Sequence, residues 1–288
     1  MAKLFVNSNG TILSNDTPTI QAGNRAHLYG DGVFESIRIM NGKPLNMANH
    51  IQRLLEGAAA LKMRPSVFFN VTFFEERVQY LIDKSEIREG GKCRISLDRI
   101  AGGTYAPTSN EAVYFIEVYP IENNSFDLNS KGWEIDLYSD LKKVKNSLSN
   151  YKTKNGLLYV MAAINASERQ LDEVLIVNEK GAILESSSSN LFVVSNRVLY
   201  TPGLDEGCLA GTMRMQIINL AVSHGIKVYE CTIFPQNIIA ADEIFLTNAV
   251  RGITWVSGYR TKRYFNNTSR KLVAYLNDHW ENVLENSF

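Results

Sequence analysis

The sequence predicts an α+β protein of two domains, and three observations carry that prediction. The chain has 288 residues, against roughly 150 for a typical domain. Strand-like and helix-like segments alternate along it without the regular spacing of βαβ units. Apolar residues make up 45% and charged residues 21%, a balance that can offset the entropy of ordering a globular chain. A chain of this size buries roughly three quarters of its unfolded surface and needs no disulfide or metal staple.

The elements follow in order. Residues 4–7 and 33–40 are rich in β-branched and aromatic side chains and read as strands. Between Ala48 and Leu61, the residues Ile51, Leu54, Leu55, Ala58 and Leu61 recur at helical spacing. A second helix is expected over Val67–Ile82. Residues 92–100 and 111–119 read as strands joined by a turn-rich loop containing Gly102, Gly103, Pro107 and Asn110. Residues 120–130 are polar and aperiodic and read as a linker. It separates a small N-terminal domain, 1–119, from a larger one, 131–288. In the latter, strands are expected at 133–139, 173–178, 190–195 and 242–248. Helices are expected at 156–170, 212–224 and 269–284. The basic stretch between them places Lys142, Lys143 and Lys145 on a solvated loop. No repeat or low-complexity tract is present.

Thirty basic residues balance thirty acidic ones, which argues against a general nucleic-acid binder. Cys93, Cys208 and Cys231 have neither the number nor the spacing of a disulfide framework or a zinc site. The N-terminal residues lack the apolar core of a signal peptide, and no run of 18 apolar residues suggests a membrane span. The expectation is a cytoplasmic enzyme acting on a small molecule, with no metal. Gly30-Asp31-Gly32 lacks a third glycine and leads into a strand, so it is not a dinucleotide fingerprint.

The most informative stretch is Glu185-Ser186-Ser187-Ser188-Ser189-Asn190-Leu191-Phe192. Standing alone, it is a polar turn before a strand. Downstream, Leu199-Tyr200-Thr201 leads to Leu209-Ala210-Gly211-Thr212-Met213-Arg214, where a glycine opens a helix. The N–H groups of a helix start form a ready anion site.

Together, E-x-S-x-x-N-L-F, L-x-T and L-x-G-x-M-R resemble the signature of the class IV aminotransferases. These are fold-type IV pyridoxal-phosphate enzymes: branched-chain and D-amino acid aminotransferases and aminodeoxychorismate lyases. Tyr29-Gly30-Asp31-Gly32-Val33-Phe34-Glu35 and His50-Ile51-Gln52-Arg53-Leu54 extend the resemblance to the N-terminal half. Thr212 departs from it, standing where the family usually has an aliphatic residue.

The resemblance implies a two-domain, D-amino acid aminotransferase-like fold, a homodimer, and the cofactor pyridoxal 5'-phosphate. It implies a cofactor-bearing lysine ahead of a helix. Lys152 fits, because Asn155 follows at the family spacing; Lys154 is the rival. Glu185 resembles the carboxylate at the pyridine nitrogen, and Arg53 the phosphate arginine, whose planar fork suits phosphate oxygens. Asn190, Leu209, Thr212, Met213, Asn248 and Ala249 complete the implied cofactor contacts. Ala249 offers only an N–H where aminotransferases often carry a hydroxyl, which resembles the lyase branch. Tyr29, Phe34 and Arg38 resemble substrate-pocket residues. Strand alternation puts Phe34, Ser36 and Arg38 on one face. Thr104 stands where some relatives carry a carboxylate-binding arginine, leaving Arg38, Arg251 and Arg99 as candidates. The implied activity is amino-group transfer between an amino acid, of branched-chain type, and a 2-oxo acid. The alternative is release of pyruvate and p-aminobenzoate by a lyase.

Overall fold

A computed structural model describes residues 4–286; the extreme ends of the two expected domains, 1–3 and 287–288, lie outside the described residues. The chain forms two compact units. One holds the residues up to Ser125 together with Tyr151–Gly156, and the other holds Phe126–Asn150 and the chain from Leu157 onward. The α+β class is as expected.

The first unit runs β1 (Phe5–Ser8), β2 (Thr11–Ser14), α1 (Arg25–Tyr29), β3 (Gly32–Met40), β4 (Lys43–Pro44), α2 (Met47–Ala60), α3 (Val71–Lys84), β5 (Gly91–Arg99) and β6 (Ala112–Pro120). Its antiparallel sheet has the order β2-β1-β6-β5-β3-β4. The two-residue period of β3 sends Val33, Ile37 and Ile39 toward Ile51, Leu54 and Ala58 of α2. Each such aliphatic side chain, fully buried, contributes roughly 1.5–3 kcal/mol. Glu35 shares that period and is therefore a carboxylate in the core, 0% exposed. α3 starts at Val71, not Val67, because Asn70 is extended and its side chain accepts from Phe73 N at 2.9 Å, closing the helix there. Lys152–Lys154 lie beside β3: Phe34 N donates to Lys152 O, and Lys154 N donates to Gly32 O.

The second unit runs β7 (Trp133–Lys143), α4 (Leu157–Glu168), β8 (Glu173–Asn178), β9 (Ile183–Ser186), β10 (Asn190–Ser195), β11 (Val198–Pro202), a 3-10 turn (Leu204–Glu206), α5 (Thr212–Ser223), β12 (Val228–Cys231), α6 (Pro235–Ala240), β13 (Glu243–Asn248), β14 (Gly252–Tyr259), β15 (Lys262–Arg263) and α7 (Asn267–Glu285). The strand order is β12-β11-β10-β13-β14-β7-β8-β9, with β15 on β14. β9 also pairs with β10, so six strands, β10-β13-β14-β7-β8-β9, close into a ring. Leu175, Val177, Leu191, Val193, Ile244, Leu246 and Val256 fill its inside. On the outside, Tyr138, Val174 and Ile176 pack on Ala162 and Ala166 of α4.

A bulge in β9 sets the site. Ile176 pairs with Glu185, but its neighbour Val177 pairs with Ile183, so Leu184 is an extra residue. It flips the alternation, and Glu185 emerges on the outer face beside Ile176 although Ile183 faces inward.

Candidate active site

In the second unit, Glu185 is 2% exposed and three donors converge on it. Lys143 Nζ donates to Oε1 at 2.6 Å and Tyr159 OH to the same oxygen at 2.9 Å. Leu209 N donates to Oε2 at 2.8 Å. Burial, then the Glu185 charge and its hydrogen bond, push the Tyr159 phenol far above its ordinary range. Burial and the same carboxylate push the Cys208 thiol up to about 12. Both groups therefore stay protonated around the anion. The expectation that Lys143 lies on a solvated loop is corrected: β7 extends to it, and its side chain is 10% exposed in an ion pair with Glu185.

Asn190 pairs with Glu185 across β9–β10 and with Thr247 across β10–β13, and its amide donates to Leu209 O at 2.9 Å. α5 opens with Gly211 as its N-cap, a residue with no side chain to cap the turn that begins with Thr212 and Met213. A Cβ on Gly211 would meet Asn190 Oδ1 at 1.9 Å; only glycine lets the helix start this close to the β10 edge. Asn248 Oδ1 accepts from Val250 N and Arg251 N, closing a turn around Ala249, and its amide reaches Ser189 Oγ at 3.1 Å. The serine run is anchored from below. Ser186, Ser187 and Ser188 all donate to Glu173 Oε2, a carboxylate 4% exposed. Arg251 donates to Ser188 Oγ at 2.8 Å and lies over the Trp133 ring.

In the first unit, Glu35 grips Arg53. Arg53 Nε donates to Oε1 at 2.7 Å and Nη2 to Oε2 at 2.5 Å, while His50 Nδ1 lies 2.7 Å from Oε2. Burial raises the Glu35 carboxyl, but the Arg53 charge and the His50 hydrogen bond outweigh it and hold the carboxyl at about 2. The rival lysines differ sharply. Lys154 Nζ forms a 2.5 Å ion pair with Asp98, which is 0% exposed. Lys152 Nζ lies 4.5 Å from the centre of the Phe34 ring, which Arg94 also approaches, at 3.8 Å.

Tyr29 lines a cleft of about 240 Å³ with Arg25, Asp31, Leu61, Arg99, Tyr105, Pro107 and Asn155. Asp31 Oδ2 takes the Nε of both Arg25 and Arg99 at 2.8 Å. Arg25 also donates to the carbonyls of Gly102 and Thr104, so Thr104 contributes its main chain here. Arg99 also donates to Asn110 Oδ1 and Leu61 O. Arg38 differs from its expectation as a carboxylate receptor. It is 5% exposed, and its guanidinium donates to the carbonyls of Asn123 and Ser125, where the main chain leaves β6.

Lys143, Tyr159, Glu35, His50 and Arg25 are the residues that sequence reasoning left without a role. For Glu35 and His50 a signal existed: a charge on an otherwise apolar strand face, and the helical i, i+3 pair His50 and Arg53 above it. Lys143 has no such signal, because the β7–β8 register shifts between Tyr138 and Lys143.

A family model described as amino-transferase class IV matches residues 32–259. The chain belongs to this family. Class IV aminotransferases are pyridoxal-phosphate enzymes, as the motifs anticipated. The chain is 26% identical over 244 residues to a D-alanine aminotransferase of Bacillus licheniformis, covering 83% of each chain. It is 27% identical over 246 residues to an aminodeoxychorismate lyase of Bacillus subtilis, covering 84% of this chain and 82% of the relative. Its fold matches the crystal structure of a branched-chain aminotransferase from Thermoproteus uzoniensis with norvaline. The TM-score is 0.87 at 23% identity, over 95% of this chain and 93% of that one. Class IV relatives of both reaction types thus stand at the same distance from it.

Proposed function

We propose that the enzyme is an aminotransferase moving an amino group between an aliphatic, branched-chain-type amino acid and a 2-oxo acid. In this reading Lys152 carries the pyridoxal 5'-phosphate, and Glu185 takes its pyridine nitrogen. Arg53, the N–H groups of Thr212 and Met213 and the Asn248–Ala249 turn hold its phosphate, with Asn190 and Leu209 fixing the loop beside Glu185. Bound there, the cofactor supplies an electron sink for negative charge at the substrate Cα.

The observation that carries the reading is Glu185, a buried anion already fixed by three donors. A carboxylate offers about four acceptor positions, so one remains for a ring N–H. Holding that proton on the ring is what Glu185 does for the reaction. Arg53, clamped from one side by Glu35, directs a fixed cation at the phosphate. Lys152 Nζ moves the substrate α-proton, a role that needs the neutral amine.

The choice of substrate rests on the Tyr29 cleft. Its two arginines are engaged by Asp31 and main-chain carbonyls, leaving Tyr29, Leu61, Tyr105 and Pro107 as the surface a side chain would meet. An aliphatic amino acid suits that surface, whereas a dicarboxylate would need uncommitted cationic donors. Ala249, with no hydroxyl, favours the lyase as the second reading. The test is a panel of L- and D-amino acids with a 2-oxo acid acceptor, run beside aminodeoxychorismate. Acceptor-dependent turnover of an aliphatic amino acid supports transamination. Release of p-aminobenzoate without an acceptor overturns it.

The reading includes a homodimer. Leu157, Val160, Met161 and Ile164 recur at three- and four-residue spacing on α4 and are exposed, an apolar stripe that a second copy would cover. Three free thiols suit the cytoplasm. No helix among the described residues is long and apolar enough to cross a membrane.

A further inference from the structure

Lys143 stands out among the groups around Glu185. It ends β7 after the register irregularity that separates it from Tyr138. Its ammonium is mostly buried, donates to Ser149 O at 3.0 Å as well as to Glu185 at 2.6 Å, and lies 5.6 Å from the Tyr159 ring centre. Other titratable groups lie around Glu185. Tyr159 on α4 and Cys208 ahead of α5 both stay neutral. Arg214 on α5 is turned to Glu230 and Pro202 O. Among the described residues, Lys143 is therefore the cation paired with the carboxylate.

We infer that Lys143 is a positioning residue that keeps Glu185 ionised and selects which of its oxygens serves the cofactor. The inference rests on the proposed role of Glu185 at the pyridine nitrogen. Lys143 and Tyr159 both bond Oε1, while Leu209 N takes one position on Oε2. With two donors on Oε1 and one on Oε2, the remaining acceptor position belongs to Oε2. Removing Lys143 leaves a buried carboxylate with only neutral donors, and such a group takes up a proton more readily. Glu185 protonated on Oε1 or Oε2 no longer favours a protonated ring nitrogen, so Lys143 acts on the cofactor through Glu185 and touches neither ring nor substrate.

The experiment compares the wild type, Lys143→Met and Lys143→Arg. In the apo-protein, carbon-13 NMR of labelled glutamate follows the Glu185 carboxyl, assigned with Glu185→Gln. In the holo-protein, nitrogen-15 NMR of labelled cofactor reports ring protonation, and solvent exchange reports loss of the substrate α-proton. For Lys143→Met the account expects a Glu185 midpoint raised by more than one pH unit and a ring nitrogen shifted toward the neutral form. It also expects α-proton exchange slowed at least tenfold, with the cofactor dissociation constant changed less than threefold. Lys143→Arg should restore all three. A folded Lys143→Met protein with an unchanged Glu185 titration overturns the inference, as does an Arg variant as impaired as the Met variant. If instead the wild-type ring nitrogen ignores Glu185→Gln while the apo titration still responds to Lys143, the proposed role of Glu185 has failed and the ion pair has not.

Discussion

Replacing Glu35 with Gln removes the charge beneath Arg53 while keeping its shape. Burial alone would raise this carboxyl; the Arg53 charge and the His50 hydrogen bond more than reverse that, from an ordinary 4.5 to about 2. A carboxyl depressed in the folded state contributes stability that is fully present above 4.5 and lost as pH falls through about 2. At 1.36 kcal/mol per pH unit, that difference is worth about 3 kcal/mol. The variant also leaves a largely buried guanidinium facing a neutral amide, a change costing about 3–5 kcal/mol where an ion pair is broken from one side. Urea unfolding of both apo-proteins at pH 7, 5, 4 and 3 reads the effect. The gap in unfolding free energy should be widest at pH 7 and close by about 2 kcal/mol by pH 3, as the unfolded-state carboxyl takes up its proton while the folded one, held at about 2, stays ionised. Stability curves running parallel through the acid range would refute the reasoning, because Glu35 would then be no more ionised in the folded state than in the unfolded one.

Arg53→Ala should fold as apo-protein and weaken cofactor binding about ten- to hundredfold, the loss of a charged hydrogen-bond partner of about 1.5–3 kcal/mol; equal dissociation constants by titration would count against a phosphate role. Glu185→Gln should slow α-proton exchange at least tenfold in a folded, cofactor-loaded protein, and an unchanged exchange rate would remove Glu185 from the ring nitrogen. Asp31→Asn leaves Arg25 and Arg99, both buried, without their shared carboxylate and should cost about 3 kcal/mol at neutral pH, read by chemical unfolding; an unaltered midpoint would mean the carbonyl acceptors alone satisfy both arginines.

Much of the fold was legible because local patterns agreed with the final packing. Ile51, Leu54 and Ala58 announced α2, and β5 and β6 appeared where residues 92–100 and 111–119 read as strands. What was not legible is non-local. The ring in the second unit closes through the single β9–β10 pairing of Glu185 with Asn190, for which sequence carries no local signal. β14 was not read at all, because it starts at Gly252 in a turn and lacks the flanking punctuation of the other strands. The bulge at Leu184 also defeats alternation: period two would put Glu185 on the same face as Ile183, inside the ring. The motifs marked Glu185, Arg53, Asn190 and Leu209 as candidates, but not the residues that hold them in place. Lys143 looked like one of several loop lysines, and only the folded β7 separates it from Lys142 and Lys145.

Lys152 is proposed to bear the cofactor, and the structure gives three lysines distinct surroundings. Lys154 is paired with buried Asp98, Lys143 with Glu185, and Lys152 lies on Phe34. Borohydride reduction of the cofactor-loaded protein followed by peptide mass spectrometry identifies the lysine directly. The account predicts the mass label on Lys152 in the wild type and its disappearance in Lys152→Ala. A label on Lys143 or Lys154 in the wild type, or one that persists in Lys152→Ala, would contradict it.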